Sequence, residues 1–166
     1  REPLPWRKEP EKAHRSIGNA VVISLGSSIV LTALYFVFQE QLLTAFGGKV
    51  NEATFRYSRE YFFWISLGIP FYVFGQAVNP IIRSDGSPKF AMVASLAGAV
   101  TNLILDPIFI FLFHWGMMGA AVATVLGQAL TAGLSAWYLF HTKAIRLEKN
   151  SFHLDCKLLC KVLSLG

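Results

Sequence analysis

Four long apolar stretches constrain this chain more than any other feature of its sequence. They cover about residues 18–38, 62–82, 90–113 and 116–140. A helix needs roughly 20 apolar residues to cross the hydrocarbon core of a bilayer. Each stretch is apolar nearly all round, whereas a soluble helix of ordinary length has a polar side. The pattern therefore predicts an all-α fold: a polytopic membrane helical bundle with four transmembrane helices.

The composition favours a membrane protein and argues against several other classes. Hydrophobic residues make up 54% of the chain and charged residues 15%, against roughly 25% charged in typical soluble domains. The net charge of +5 comes from basic residues in short segments between the apolar stretches, so we expect membrane lipid and not nucleic acid as a partner. The sequence contains no Walker loop, GxSxG, HExxH or dinucleotide-binding motif. We therefore expect no enzyme and no cofactor, and any transport would be driven by an ion gradient or by a partner.

The distribution of Lys and Arg predicts the orientation of the stretches. If the connecting segments alternate between the two sides, twelve basic residues lie on one side and three on the other. Because basic residues are enriched in cytoplasmic segments, both ends of the chain and the segment 83–89 are predicted to be cytoplasmic. Residues 1–17 are then a cytoplasmic loop, and residues 141–166 a cytoplasmic linker with a short interfacial helix. We expect a multi-pass protein of the plasma (inner) membrane, and an internal piece of a longer protein because the chain begins at Arg1.

A small group of possible metal ligands lies near the end of the chain. His153, Cys156 and Cys160 form the pattern H-x2-C-x3-C. This pattern lacks a fourth ligand and has no standard zinc spacing. The sequence therefore predicts ordinary reduced cysteines and no metal site.

One carboxylate stands out within the apolar stretches. Asp106 is the only acidic residue in any of them, and an Asp at the centre of a membrane helix costs roughly 2.5–3.5 kcal/mol. Asn102 lies one helical turn earlier on the same face. Pro107 follows and cannot donate to the carbonyl of Leu103, which frees that oxygen and bends the helix. These groups predict an oxygen-rich site for a proton or a hard monovalent cation; the alternative is a structural hydrogen bond to a neighbouring helix.

The fourth apolar stretch contains a stripe of small residues and, beside it, a stripe of polar residues that could face the third stretch. Gly119, Ala123 and Gly127 form a small-xxx-small stripe that favours close helix packing. Thr124 and Gln128 lie on the adjacent stripe. Because a tight turn joins the two stretches, the Thr124 hydroxyl is predicted to lie at the depth of the carboxylate and to reach the same pocket. Gln128 either lines a cleft or makes a hydrogen bond between helices.

The second stretch contains two prolines among polar side chains. Pro70 and Pro80 each remove a helical hydrogen bond and predict bends. Tyr72, Gln76 and Asn79 lie between them, and polar groups beside such bends often line a cavity. A proline-rich helix that is merely packed by its neighbours is the alternative.

Three segments of the sequence resemble the multidrug and toxic compound extrusion (MATE) transporters in motif, order and spacing. They are residues 83–89 (RSDGSPK), 102–110 (NLILDPIFI) and 116–124 (GMMGAAVAT). The resemblance extends from about Lys12 to Gly166 and implies helices three to six of the first of two six-helix lobes. It also implies exchange of Na⁺ or H⁺ for cationic, amphipathic drug-like compounds by a transporter that includes the remaining helices.

The resemblance also assigns roles to particular residues. Asn102, Asp106 and Thr124 match the positions that bind the coupling cation in family members, together with an Asp of the first helix. That helix and the second lobe are not part of this sequence, so the cation site and the drug cleft are expected to be incomplete here. Two other functions stay open: a lipid-linked oligosaccharide flippase of related architecture, and a membrane scaffold that transports nothing.

Overall fold

Four long helices make up the chain in the computed structural model, which describes residues 10–45 and 51–141. A five-residue π-helical segment, Ile108–Leu112, continues the third helix. The helices are α1 (Pro10–Ala45), α2 (Glu52–Ser84), α3 (Pro88–Pro107) and α4 (Gly116–His141). The predicted all-α fold with four long apolar helices is confirmed.

Each of the four helices is long and apolar enough to cross a membrane. Their outward faces carry large apolar side chains, for example Leu103 at 71% exposed and Phe140 at 76% exposed. A soluble protein rarely exposes contiguous apolar surface of this kind, because burying it from water is strongly favourable. The bundle is therefore that of a multi-pass membrane protein.

The first two helices extend beyond the predicted spans, α1 at both ends and α2 chiefly at its start, Glu52. α1 begins at Pro10, so the prediction of a loop over residues 1–17 is wrong for residues 10–17. Proline suits the first position of a helix because its missing N–H has no partner there, and the following Glu, Lys, Ala and Arg are good helix formers. Residues 1–9 and 142–166, which include the predicted interfacial helix and the group His153, Cys156 and Cys160, lie outside the described residues.

The turn between α2 and α3 follows from local chemistry and is tied to α4. Gly86 adopts a φ of +87°, a left-handed conformation that glycine tolerates best, and Pro88 opens α3. The Tyr138 hydroxyl near the end of α4 donates a hydrogen bond of 2.7 Å to an Asp85 carboxylate oxygen. The bond fixes the turn against the end of the bundle.

Small residues allow α3 and α4 to touch through their backbones. A Cβ atom built on Gly98 would lie 2.6 Å from the Gly127 carbonyl oxygen, and one built on Gly127 would lie 2.6 Å from the Gly98 carbonyl oxygen. Such close approach requires glycine at both positions. α4 also packs along α2, and α1 packs on α2, so α4 lies between α2 and α3. This arrangement brings the polar faces of α2, α3 and α4 together.

Candidate ion-coupling site and adjoining cavity

The three residues predicted to bind a cation lie together. The Asn102 side-chain nitrogen Nδ2 lies 3.4 Å from Asp106 Oδ1 and 3.2 Å from Thr124 Oγ1. Asn102 and Asp106 meet because they are one turn apart on α3, while Thr124 comes from α4 across the Gly98–Gly127 contact. All three side chains are partly buried. We refer to Asn102, Asp106 and Thr124 as the polar triad.

The Thr124 hydroxyl is oriented by its own helix. It donates to the Ala120 carbonyl at 2.9 Å, a bond within α4. A hydroxyl has one hydrogen and two lone pairs, so its lone pairs face Asn102. The triad therefore presents two acceptor oxygens, one from a carboxylate and one from a hydroxyl, to a single amide group.

The helix geometry changes immediately after the triad. α3 ends at Pro107, and the Phe113 N–H donates to the Ile108 carbonyl at 3.0 Å, a π-helical bond. Pro107 has no N–H, and π-helical turns are frequent at functional sites. A π-helical segment therefore follows Pro107, and Pro70 and Pro80 lie inside the continuous helix α2; the bends expected at the three prolines stay predictions.

A cavity of about 260 Å³ between α2, α3 and α4 adjoins the triad. Asn102 and Thr124 line it, whereas Asp106 is not part of the lining and reaches it only through its contact with Asn102. The four residues predicted to line a cleft also line this cavity: Tyr72, Gln76, Asn79 and Gln128. Sequence reasoning missed Phe71, Ser95, Ala99 and Thr131, which also contribute to the wall. Ser95 and Thr131 carry the kind of polar side chain at membrane depth that could have indicated them.

Asn79 has a different role from its neighbours in the cavity wall. Its Nδ2 donates to Ser95 Oγ at 2.9 Å and to the Ala91 carbonyl at 3.3 Å, and its Oδ1 accepts from Arg83 Nε at 2.8 Å. With both amide hydrogens and the oxygen engaged, Asn79 fixes Arg83 and links α2 to α3. It offers little further hydrogen-bonding capacity to a ligand.

Gln128 differs from Asn79 because its side-chain oxygen makes no hydrogen bond with the described residues. Its Oε1 is buried and has no hydrogen-bond donor among the described residues. The oxygen lies directly against Gly68 of α2, where a Cβ atom would overlap it. A buried acceptor without a donor costs free energy, so this oxygen is an exception among the polar groups of the bundle. Tyr72 and Gln76 are exposed to the same space.

The polar atoms of the triad are oxygen atoms and one amide nitrogen. Among the described residues no group of three or more His, Cys, Asp or Glu side chains is placed to hold a metal ion. The triad supplies oxygen atoms and one formal negative charge, and hard cations prefer oxygen ligands.

Comparisons with known proteins identify the family to which the chain belongs. The family model described as MatE matches residues 7–108, which is more than half of the chain. Protein DETOXIFICATION 42 of Arabidopsis thaliana is 31% identical over 158 residues, covering 87% of this chain and 31% of that protein. Multidrug export protein MepA of Staphylococcus haemolyticus is 29% identical over 149 residues, covering 88% of this chain and 32% of that protein.

A solved structure is also similar. It is the inward-facing conformation of a multidrug resistance MATE family transporter of the MOP superfamily, with a TM-score of 0.84 and 28% identity. The match covers 96% of this chain and 37% of that chain. The chain thus spans about a third of the length of the curated relatives it matches.

Proposed function

This chain belongs to the MatE family, and we propose that it forms part of a secondary active multidrug efflux transporter. In this proposal the full-length protein exchanges Na⁺ or H⁺ for cationic, amphipathic compounds. The observation that carries it is the polar triad at the wall of the cavity, where Asn102 Nδ2 lies within 3.4 Å of both partner oxygens. An intramembrane carboxylate in such a position is most often part of an ion pathway.

The shared wall explains how ion and substrate would be coupled. Asn102 and Thr124 belong both to the triad and to the cavity, so a cation at Asp106 and a cationic substrate in the cavity act on the same charge. Two unit charges a few ångströms apart interact by a few kcal/mol at an effective dielectric constant of about 20. Once a coupling cation neutralises Asp106, that attraction for the substrate is lost and release is favoured.

The cavity wall also supports a cationic rather than an anionic substrate. Among the described residues that line the cavity there is no Lys or Arg, while Phe71 and Tyr72 supply aromatic surface. An aromatic face attracts a cation and accommodates the apolar part of an amphipathic compound. A flippase for a lipid-linked pyrophosphate would need basic side chains in this wall.

The membrane placement is part of the same proposal. Both ends of this chain and the α2–α3 turn lie on the cytoplasmic side of the plasma (inner) membrane, as the excess of Lys and Arg in those segments favours. The remaining helices of the transporter would supply the rest of the cation site and of the drug cleft.

The experiment that tests the function compares wild type and Asp106→Asn in the full-length gene. Ethidium efflux is followed in inverted vesicles under an imposed Na⁺ gradient and, separately, an imposed pH gradient, at matched protein levels. We expect one gradient to drive efflux by wild type and neither to drive efflux by the variant. Equal efflux by both proteins would mean that Asp106 is structural, and no efflux by wild type at normal expression would favour the flippase or the scaffold.

A further inference from the structure

A groove between α1 and α2 lies at the end of α2 opposite the α2–α3 turn. It is open, has a volume of about 540 Å³ and shares no residue with the cavity beside the triad. We propose that this groove binds the headgroup of a phosphatidylethanolamine lipid, with the phosphate on two arginines and the ammonium on a glutamate. The residues that line it are Phe36, Gln39, Arg56, Arg59, Glu60 and Phe63.

The position of the groove along both helices places it at the boundary of the hydrocarbon core. The first apolar stretch covers about residues 18–38 and the second about residues 62–82. Phe36 and Phe63 lie less than one turn inside those stretches, whereas the four polar residues of the groove lie just outside them. The headgroup region of a bilayer adjoins the hydrocarbon core at this depth. The groove therefore has the same order of polar and apolar parts as a phospholipid.

Two guanidinium groups line the polar part of the groove. Arg56 and Arg59 are three positions apart on α2, so their Cβ atoms lie about 5–6 Å apart on one face of the helix. Both side chains are exposed. A guanidinium presents five N–H donors in a planar fork that matches the oxygen atoms of a phosphate. Two such groups on one helix face can hold one phosphate between them.

The contacts that these arginines make within the protein leave them able to bind an anion. Arg59 Nη2 lies 4.0 Å from Glu40 Oε1, and the two side chains are 60% and 67% exposed. An exposed ion pair of this length contributes little to stability, so a phosphate can compete for the guanidinium. The Arg56 guanidinium carbon lies 5.3 Å from the centre of the Tyr57 ring. Stacking on a ring engages the face of a guanidinium, and its N–H groups remain at the edge.

Glu60 favours a zwitterionic headgroup over an anionic one. It lines the same groove and follows Arg56 by four positions, which is one helical turn. Together with Glu40 it balances the charge of the two arginines, so the groove has no net charge to attract a headgroup that is negative overall. A phosphate on the arginines places an ethanolamine group within reach of Glu60. A primary ammonium has three N–H donors for this carboxylate, whereas the quaternary ammonium of choline has none.

Two aromatic rings form the apolar part of the groove. The rings of Phe36 and Phe63 pack edge to face with centroids 5.7 Å apart, and the side chains are 39% and 44% exposed. Their exposed surface is available to the glycerol backbone and to the first methylene groups of an acyl chain, and covering it is favourable. A free phosphate would leave this surface uncovered, so the groove fits a lipid better than a soluble anion.

The test is native mass spectrometry of the purified, delipidated full-length protein during titration with phospholipids. Dioleoyl phosphatidylethanolamine is the probe, and the phosphatidylcholine and phosphatidylglycerol with the same acyl chains are the comparison lipids. We expect wild type to bind the ethanolamine lipid severalfold more tightly than either. The double variant Arg56→Gln and Arg59→Gln should bind it about tenfold more weakly, because both charged contacts to the phosphate are lost.

A second variant tests the ammonium contact and keeps both arginines, so it also guards against a folding defect in the double variant. Glu60→Gln should bind the ethanolamine lipid only as tightly as the choline lipid, whose affinity should not change. The matched control is Glu52→Gln, the same substitution at an exposed position of α2 outside the groove, and it should bind all three lipids as wild type does.

Several results would overturn the lipid site. Wild type would bind the choline or glycerol lipid as tightly as the ethanolamine lipid, or the double variant would retain the affinity of wild type. Equal effects of Glu60→Gln and Glu52→Gln would also remove the assignment of the ammonium. Inorganic phosphate at millimolar concentration serves as a soluble competitor. Its failure to displace the lipid is expected, and displacement would mean that the groove binds free phosphate instead.

Discussion

A single methyl group at Gly127 should separate α3 from α4 and disturb the triad. The added Cβ atom would lie 2.6 Å from the Gly98 carbonyl oxygen and 3.2 Å from Asn102 Cβ, whereas ordinary contact begins at 3.4 Å. To reach that separation the helices must move apart by about 0.8 Å at the crossing, because both contacts involve backbone or a Cβ atom that cannot rotate away. The Asn102–Thr124 distance of 3.2 Å would grow to about 4 Å, beyond hydrogen-bonding reach.

The assay is thermal unfolding of the full-length protein in detergent together with ethidium efflux. We expect Gly127→Ala to destabilise the protein by about 1–3 kcal/mol, typical of overpacking, and to reduce efflux strongly. The matched control is Gly133→Ala on the same helix, where nothing lies within 4 Å of the added Cβ. That change should be neutral or slightly stabilising, since alanine favours a helix over glycine by about 1 kcal/mol. If the two variants share one melting temperature and one efflux rate, the reasoning about the α3–α4 contact is refuted.

Two further predictions concern single hydrogen bonds. Tyr138→Phe removes the hydroxyl that donates to Asp85. It should lower the free energy of unfolding by about 1.5–3 kcal/mol, the range for hydrogen bonds to charged groups, and so lower the melting temperature. An unchanged melting temperature would show that the α2–α3 turn does not depend on this bond. Thr124→Val should reduce coupled efflux about tenfold or more, because it removes the hydroxyl oxygen of the triad. Thr124→Ser keeps the hydroxyl and should keep most of the efflux. Equal efflux by the two variants would contradict the role of the hydroxyl.

The triad could be predicted from the sequence because short-range rules place its members. Asn102 and Asp106 share a helix face through the helical repeat alone. Thr124 follows from the tight connection between the third and fourth stretches, which fixes how far each residue lies from the turn. Only a few residues of α4 lie both at the membrane depth of Asp106 and on the face of α4 that is turned toward α3.

Other features depend on contacts that no local rule specifies. The bond between Tyr138 and Asp85 joins residues 53 positions apart, and it requires the end of α4 to pack beside the α2–α3 turn. The contact between Asn102 and Thr124 depends on the close approach of α3 and α4 at Gly98 and Gly127. Sequence reasoning placed Asn79 among the cleft-lining residues, but could not show that its amide is already engaged by Arg83, Ser95 and Ala91.

The close packing of α3 on α4 and the ion site are one structural unit, and this can be measured. Gly127 lies against Asn102 itself, so a change at either residue should alter the effect of a change at the other. Residues in contact commonly show interaction energies of about 0.5–3 kcal/mol, whereas distant residues act additively. The rate of coupled efflux by the full-length protein provides the readout for two double-mutant cycles. Asn102→Leu should reduce that rate by a smaller factor in the Gly127→Ala background, where the triad is already opened, than in the Gly133→Ala background. Equal effects in the two backgrounds would mean that the ion site keeps its geometry independently of the helix crossing, and the small residues of α4 would then serve packing alone.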